Sequence, residues 1–176
     1  MDEYKTNYNY EDDLFDELQE YDYNEMLEKA DNAILAAVAA ATATGAIPIP
    51  FADAPLLIAE QVIMMAAINS AFKINVSKDV LKSLATSAIG VGGATLAGKT
   101  ISTNLLKLIP IAGSLVGGAV GGATAGAITL ALGKAYIQVC KAIKMGKLNQ
   151  NDLNRKAGVD ALKKAFEEQL KTVKSN

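Results

Sequence analysis

The sequence predicts an all-α protein, a helical bundle with a Gly/Ala-rich apolar helical hairpin and no sheet. Three observations lead there. Apolar residues recur at spacings of three and four, the mark of one helix face. No alternating apolar–polar run bounded by turn residues occurs, and the β-prone pieces are short and embedded in Ala. The chain is 51% apolar but only 6% aromatic, so elements can approach closely while each side chain buries little area. With 176 residues, it is long enough for one domain with a full core.

The elements follow in order. Residues 1–23 are acidic and hold five of the six Tyr; they are expected to form a largely disordered arm, with a short helix suggested by Leu14, Leu18 and Tyr21. A helical domain is expected over 24–148. Its first helix follows Asn24 and places Met26, Leu27, Ala30, Ile34 and Val38 on one face. Gly45 ends it, and Pro48 and Pro50 prevent it from resuming. Asp53 then suits an N-cap and Pro55 a first turn. The helix from Pro55 to Phe72 is apolar nearly all round, apart from Glu60 and Gln61, as helices buried in a core or in lipid are. Met64 and Met65 read as core.

Ser77 caps a third helix running through Leu81, Leu84 and Ile89 toward Leu108, with a weak point near 100–104. Pro110 opens a fourth, expected to bend near Gly133 and continue through residues 135–144. After a loop at 146–151, residues 149–176 form a basic amphipathic helix. Val159, Leu162, Phe166, Leu170 and Val173 make its apolar face, and the other side is Lys-rich.

The hairpin, about residues 78–145, carries rows of small residues. Gly113, Gly117 and Gly121 are four apart, with Ala125 continuing the row. Gly118, Gly122 and Gly126 form a second row, and Gly90, Ala94 and Gly98 a third. Positions i and i+4 share a helix face, so each row is a groove that admits another helix backbone, a Gly-zipper arrangement. An internal Gly costs about 0.5–1 kcal/mol relative to Ala, which close packing or a membrane must offset. Residues 108–133 contain no charge and are long enough to span about 30 Å of hydrocarbon. Their Gly, Ala, Ser and Thr make them only mildly apolar. Burial inside a bundle and burial in lipid both satisfy this pattern.

The stretch Gly93–Thr100, GATLAGKT, matches the phosphate-loop pattern letter for letter. Such a loop follows a strand, cradles phosphates on backbone N–H groups and holds magnesium through its Ser or Thr. Here the preceding residues have helical spacing. No Asp or Glu lies between Thr100 and Asn151 to complete a magnesium site. The motif therefore reads as a helix wall. The chain has no His and one Cys, Cys140, which excludes His-based triads, Cys/His zinc sites and an internal disulfide. Ser83, Ser87 and Ser102 have no base to activate them. Asp53 reads as a cap and Glu60 as a pairing or pore residue. No catalytic, cofactor or metal constellation is expected, and the chain is read as a non-enzyme.

The net charge of −2 conceals a polarised layout. Residues 1–31 hold twelve acids and two bases, whereas residues 134–176 hold four acids and ten bases. The basic end suits anionic headgroups or the chain's own acidic arm, and nothing indicates nucleic acid. The N-terminus is acidic, with no apolar leader behind it. A cytoplasmic location is therefore expected, with membrane association at the inner face of the cytoplasmic membrane.

The stretch Gly45–Met65, with Pro48, Pro50, Asp53 and Pro55, is followed by Leu105–Ile137, with Pro110, Gly113, Gly117 and Gly133. Together they resemble a bacterial GTPase-associated helical domain of unknown function, found C-terminal to Era-like G domains or standing alone. The resemblance covers about residues 30–145. It implies an all-helical domain with an apolar hairpin, working with a GTPase near a membrane, and it carries over no catalytic residues. This chain shows no G domain, so a GTPase partner is expected in trans. The expected function is a non-enzymatic helical module engaging a membrane, a GTPase or a second copy of itself. A soluble adaptor and a pore-forming hairpin are the alternatives.

Overall fold

The computed structural model describes residues 8–45, 53–97 and 118–175. Over these residues it contains five α helices, one short 3-10 turn and no strand. They are α1 (Tyr8–Gly45), α2 (Asp53–Ala71), α3 (Lys78–Ala97), α4 (Gly118–Lys144) and α5 (Lys156–Ser175), with the turn at Gln150–Asp152. Pro48, Pro50, Gly98, Pro110, Gly113 and Gly117 lie outside the described residues. So do residues 98–117, which include the weak point expected near 100–104.

Helix α4 is the hub. It packs against α1, α5 and α2, while α3 leans on α2 and α5. Among the described residues, contact between α3 and α4 is slight. In α4, Gly133 receives large side chains from two other helices. A Cβ on Gly133 would lie 2.6 Å from Cγ1 of Ile34 in α1 and 3.0 Å from Sδ of Met64 in α2. Helix α4 runs unbroken through Gly133, where the bare backbone allows close approach.

Helix α1 begins at Tyr8 and so includes the short helix suggested by Leu14, Leu18 and Tyr21. Contacts to later elements hold part of this acidic end. Lys73 Nζ lies 3.5 Å from an Asp22 carboxylate oxygen, and Lys141 stands over the Tyr23 ring at 5.5 Å. Further along, Lys134 of α4 reaches Asp31 at 2.7 Å. The acidic helix thus meets bases from α4 and from the end of α2. No ion pair among the described residues joins it to α5. Helix α5 is part of the bundle, with Leu162, Phe166 and Leu170 in the common core. Its outward face is mixed rather than Lys-rich: Lys156, Lys164 and Lys171 are exposed, but so are Asp160, Glu167 and Glu168.

Two helix ends have the same geometry. After α4, the Gly146 N–H bonds the Ile143 carbonyl and the Lys147 N–H bonds the Ala142 carbonyl, with Gly146 at φ +69°. This paired closure satisfies carbonyls that a helix end otherwise leaves open. After α2, Lys73 takes the same left-handed place at φ 53°. Its N–H bonds Ser70, and the Ile74 N–H bonds Asn69.

The core contains a few polar groups, all contacting α2. Gln61 is fully buried and donates from Nε2 to Thr129 Oγ1 at 2.8 Å. Asn69 Oδ1 accepts from the Tyr136 hydroxyl at 2.8 Å and from the Cys140 thiol at 3.8 Å. Burial pushes the Tyr136 phenol up. It also pushes the Cys140 thiol up to about 12, against a smaller downward pull from Lys144. Glu60, half-buried, accepts from the Thr44 hydroxyl at 2.8 Å and so ties the end of α1 to α2.

Two outcomes follow from this packing. Gly133→Leu should cost roughly 1–3 kcal/mol by overpacking, less a gain of up to about 1 kcal/mol in helix propensity. Calorimetry should show this as a lower Tm, and an unchanged Tm would contradict the Ile34 contact. Cys140 should resist a thiol-specific reagent at pH 8 in the folded chain and react fully in denaturant. The raised thiol pKa keeps the folded form protonated, so stability should fall as pH rises above the ordinary thiol range, about 8.5.

Candidate functional site

Among the described residues, a surface groove lies between α2 and the start of α3. Ile58, Ala59, Val62, Ile63 and Ala66 of α2 face Lys78, Asp79 and Lys82 of α3 across an open groove of about 770 Å³. Ile58, Val62 and Ala66 also pack on the core, so one wall is anchored in the protein interior. Ile63 stands on the rim, 70% exposed.

This groove follows from how α2 is oriented. Gln61, Met64, Met65, Ile68, Asn69 and Phe72 all point inward, with alternating spacings of three and one. The opposite side must then carry Ala59, Ile63 and Ala67, all exposed. Residues 72–77 join α2 to α3, and the Ser77 hydroxyl accepts from the Val80 N–H at 3.4 Å at the head of α3. Lys78 and Lys82 are one turn apart, so they share a face. Sequence reasoning identified α2 as apolar all round and Ser77 as a cap, but did not single out Ile63, Lys78 or Lys82. The signal was present: an apolar helix with no polar side, then a short link, then two Lys four apart.

A second, polar depression of about 360 Å³ lies at the other end of α3's first turns, among Asn75, Ser77, Gln150, Asn151, Asn154 and Arg155. The Gln150 amide donates to the Asn75 carbonyl there at 2.6 Å, and Arg155 pairs with Asp152 at 2.9 Å. These contacts join the 3-10 turn to the α2–α3 link. The side chains occupy one another.

The other residues singled out from sequence are placed as follows where they fall among the described residues. Asp53 begins α2, and Pro55 lies in its first turn. Gly90 and Ala94 lie within α3. Gly118 and Gly121 lie in the first turn of α4, and Gly122 and Gly126 are buried further along it. Of the phosphate-loop match, Gly93 to Ala97 are helical and continue α3 from Lys78; Lys99 and Thr100 lie outside the described residues. A phosphate loop needs a strand and a turn where α3 is a continuous helix.

Among the described residues no three His, Cys, Asp or Glu side chains gather as metal ligands. Cys140 is buried with its thiol held protonated, which is the opposite of an activated nucleophile. No helix among the described residues is long and apolar enough to cross a membrane.

Comparison with known proteins adds two findings. Over 113 residues, 62% of this chain, the sequence is 30% identical to magnetosome membrane protein 22 of Magnetospirillum gryphiswaldense. That match covers 56% of the relative, so the chain spans little more than half of its length. No solved structure matches. A family model described as a domain of unknown function (DUF697) matches residues 10–168. The chain therefore belongs to the DUF697 family, a domain of unknown function.

Proposed function

We propose that this chain is a non-enzymatic helical module that docks on an anionic membrane surface. The observation that carries this reading is the exposed apolar side of α2, with Ile63 at its rim and Lys78 and Lys82 beside it. Aliphatic groups at the interface with lysines alongside combine area burial with attraction to anionic headgroups, each Lys near such a surface contributing about 1 kcal/mol. The name of the Magnetospirillum relative, a magnetosome membrane protein, supports the same reading. The mixed outward face of α5 makes it the weaker of the two surfaces for headgroups. Attachment is proposed to be peripheral for the described helices, at the inner face of the cytoplasmic membrane.

A second reading rests on α1. Leu35, Ala36, Ala39 and Ala40 are exposed along one side of it, an apolar strip of the kind another helix covers. This favours a protein contact, whether a second copy of the chain or an adaptor partner. A GTPase acting in trans is the partner implied by the family resemblance. The Gly-zipper role of the hairpin belongs with these proposals. On this reading the zipper rows Gly90–Gly98 and Gly113–Gly126 serve helix packing.

Flotation with phosphatidylcholine vesicles, with and without phosphatidylglycerol, tests the membrane reading. The chain should float with the anionic vesicles only. Binding should weaken as salt shortens the Debye length from about 10 Å at 0.1 M to about 3 Å at 1 M. A chain left at the bottom of both gradients overturns it. Isolation of the native complex from cells should bring down a GTPase, and its absence would remove that partner.

A further inference from the structure

The α2–α3 groove separates its chemistry by wall. Among the described residues, the apolar lining (Ile58, Ala59, Val62, Ile63, Ala66) comes from α2 and the charged lining (Lys78, Asp79, Lys82) from the first turns of α3. A ligand lying between them meets hydrocarbon on one side and net positive charge on the other. That is the complement of an anionic amphiphile. We propose that the α2–α3 groove takes one acyl chain of an anionic phospholipid from the bilayer, with the phosphate held by Lys78 and Lys82.

Charge and size fit this occupant. The volume of about 770 Å³ falls within the usual range for ligand sites, roughly 300–1,000 Å³. Among the described residues the apolar wall runs from Ile58 to Ala66, about 12 Å of helix at 1.5 Å per residue. A single chain needs only a continuous smooth wall. Half-buried Ile58, Val62 and Ala66 supply it, and exposed Ile63 stands at its rim. Asp79 between the two Lys leaves the groove with one net positive charge, which selects an anionic over a zwitterionic head.

This inference rests on the membrane reading above, and the test separates the two. Dihexanoyl-phosphatidylglycerol and dihexanoyl-phosphatidylcholine, each below its micelle concentration, are titrated into the full chain and followed by calorimetry. The glycerol lipid should bind saturably and the choline lipid weakly. Ile63→Glu places a carboxylate on the rim and should weaken binding roughly tenfold or more. Ile63 is exposed, so its Tm should hold. Lys82→Glu, also at an exposed residue, should weaken binding roughly tenfold through the head. Saturable glycerol-lipid binding that both variants lose supports the site. Equal binding of both lipids overturns it, and so does unchanged binding by both variants. If neither short lipid binds while anionic vesicles still float the chain, the groove proposal fails and the membrane reading stands. If the chain self-associates and Ile63→Glu dissolves the oligomer without any lipid binding, the groove belongs to a second copy and the proposal fails.

Discussion

The bundle depends on how closely α1 and α2 can approach α4. At Gly133 that distance is set by the absence of a side chain. Ile34 and Met64 converge on the bare backbone from two different helices, closer than a Cβ would allow. Interiors are packed to near-crystalline density, so the neighbours cannot relax far. Placing α1 and α2 this tightly on α4 brings Gln61 within reach of Thr129 and Asn69 within reach of Tyr136. It also aligns Asp31 with Lys134. Gly158 plays a smaller version of the same part: a Cβ there would lie 2.6 Å from the Asp152 carbonyl oxygen, where α5 leaves the 3-10 turn.

The order of helices was legible in the sequence because caps and breakers are local. Ser77 before Lys78, Gly146 after α4 and Pro55 early in α2 act through their own neighbours. The α5 core face was legible for the same reason, since Leu162, Phe166 and Leu170 repeat every four residues. Helix partners were harder to read. Rows of Gly show that something approaches, but a bare surface does not name its visitor. The side chains that fill the space at Gly133 come from positions 34 and 64, and no local pattern links those three. The partners of the acidic start of α1 were as hard to read, since Asp22 and Tyr23 meet Lys73 and Lys141 across the fold.

The candidate site was least legible, because it is a product of orientation. An all-apolar helix gives no periodic instruction about which side faces in. Its lining lysines lie on another helix across the link of residues 72–77. That link is stiffened at its start by the closure at Lys73, where two carbonyls of α2 are satisfied. A groove with walls already in position loses little conformational entropy when a ligand enters.

The buried amides of α2 then take on a further meaning. Gln61 and Asn69 each leave one polar atom without a partner, Oε1 and Nδ2 respectively, so they are costly residues to keep in a core. What they supply is azimuth. With hydrocarbon on every side, α2 has nearly equal reasons to present any face to its neighbours. The hydrogen bonds of Gln61 and Asn69 to α4, with that of Glu60 to Thr44, distinguish one rotation from another. The compass bearing of Ile63 is thus written in residues that no ligand ever touches. The outside of this protein is, in that sense, specified from within.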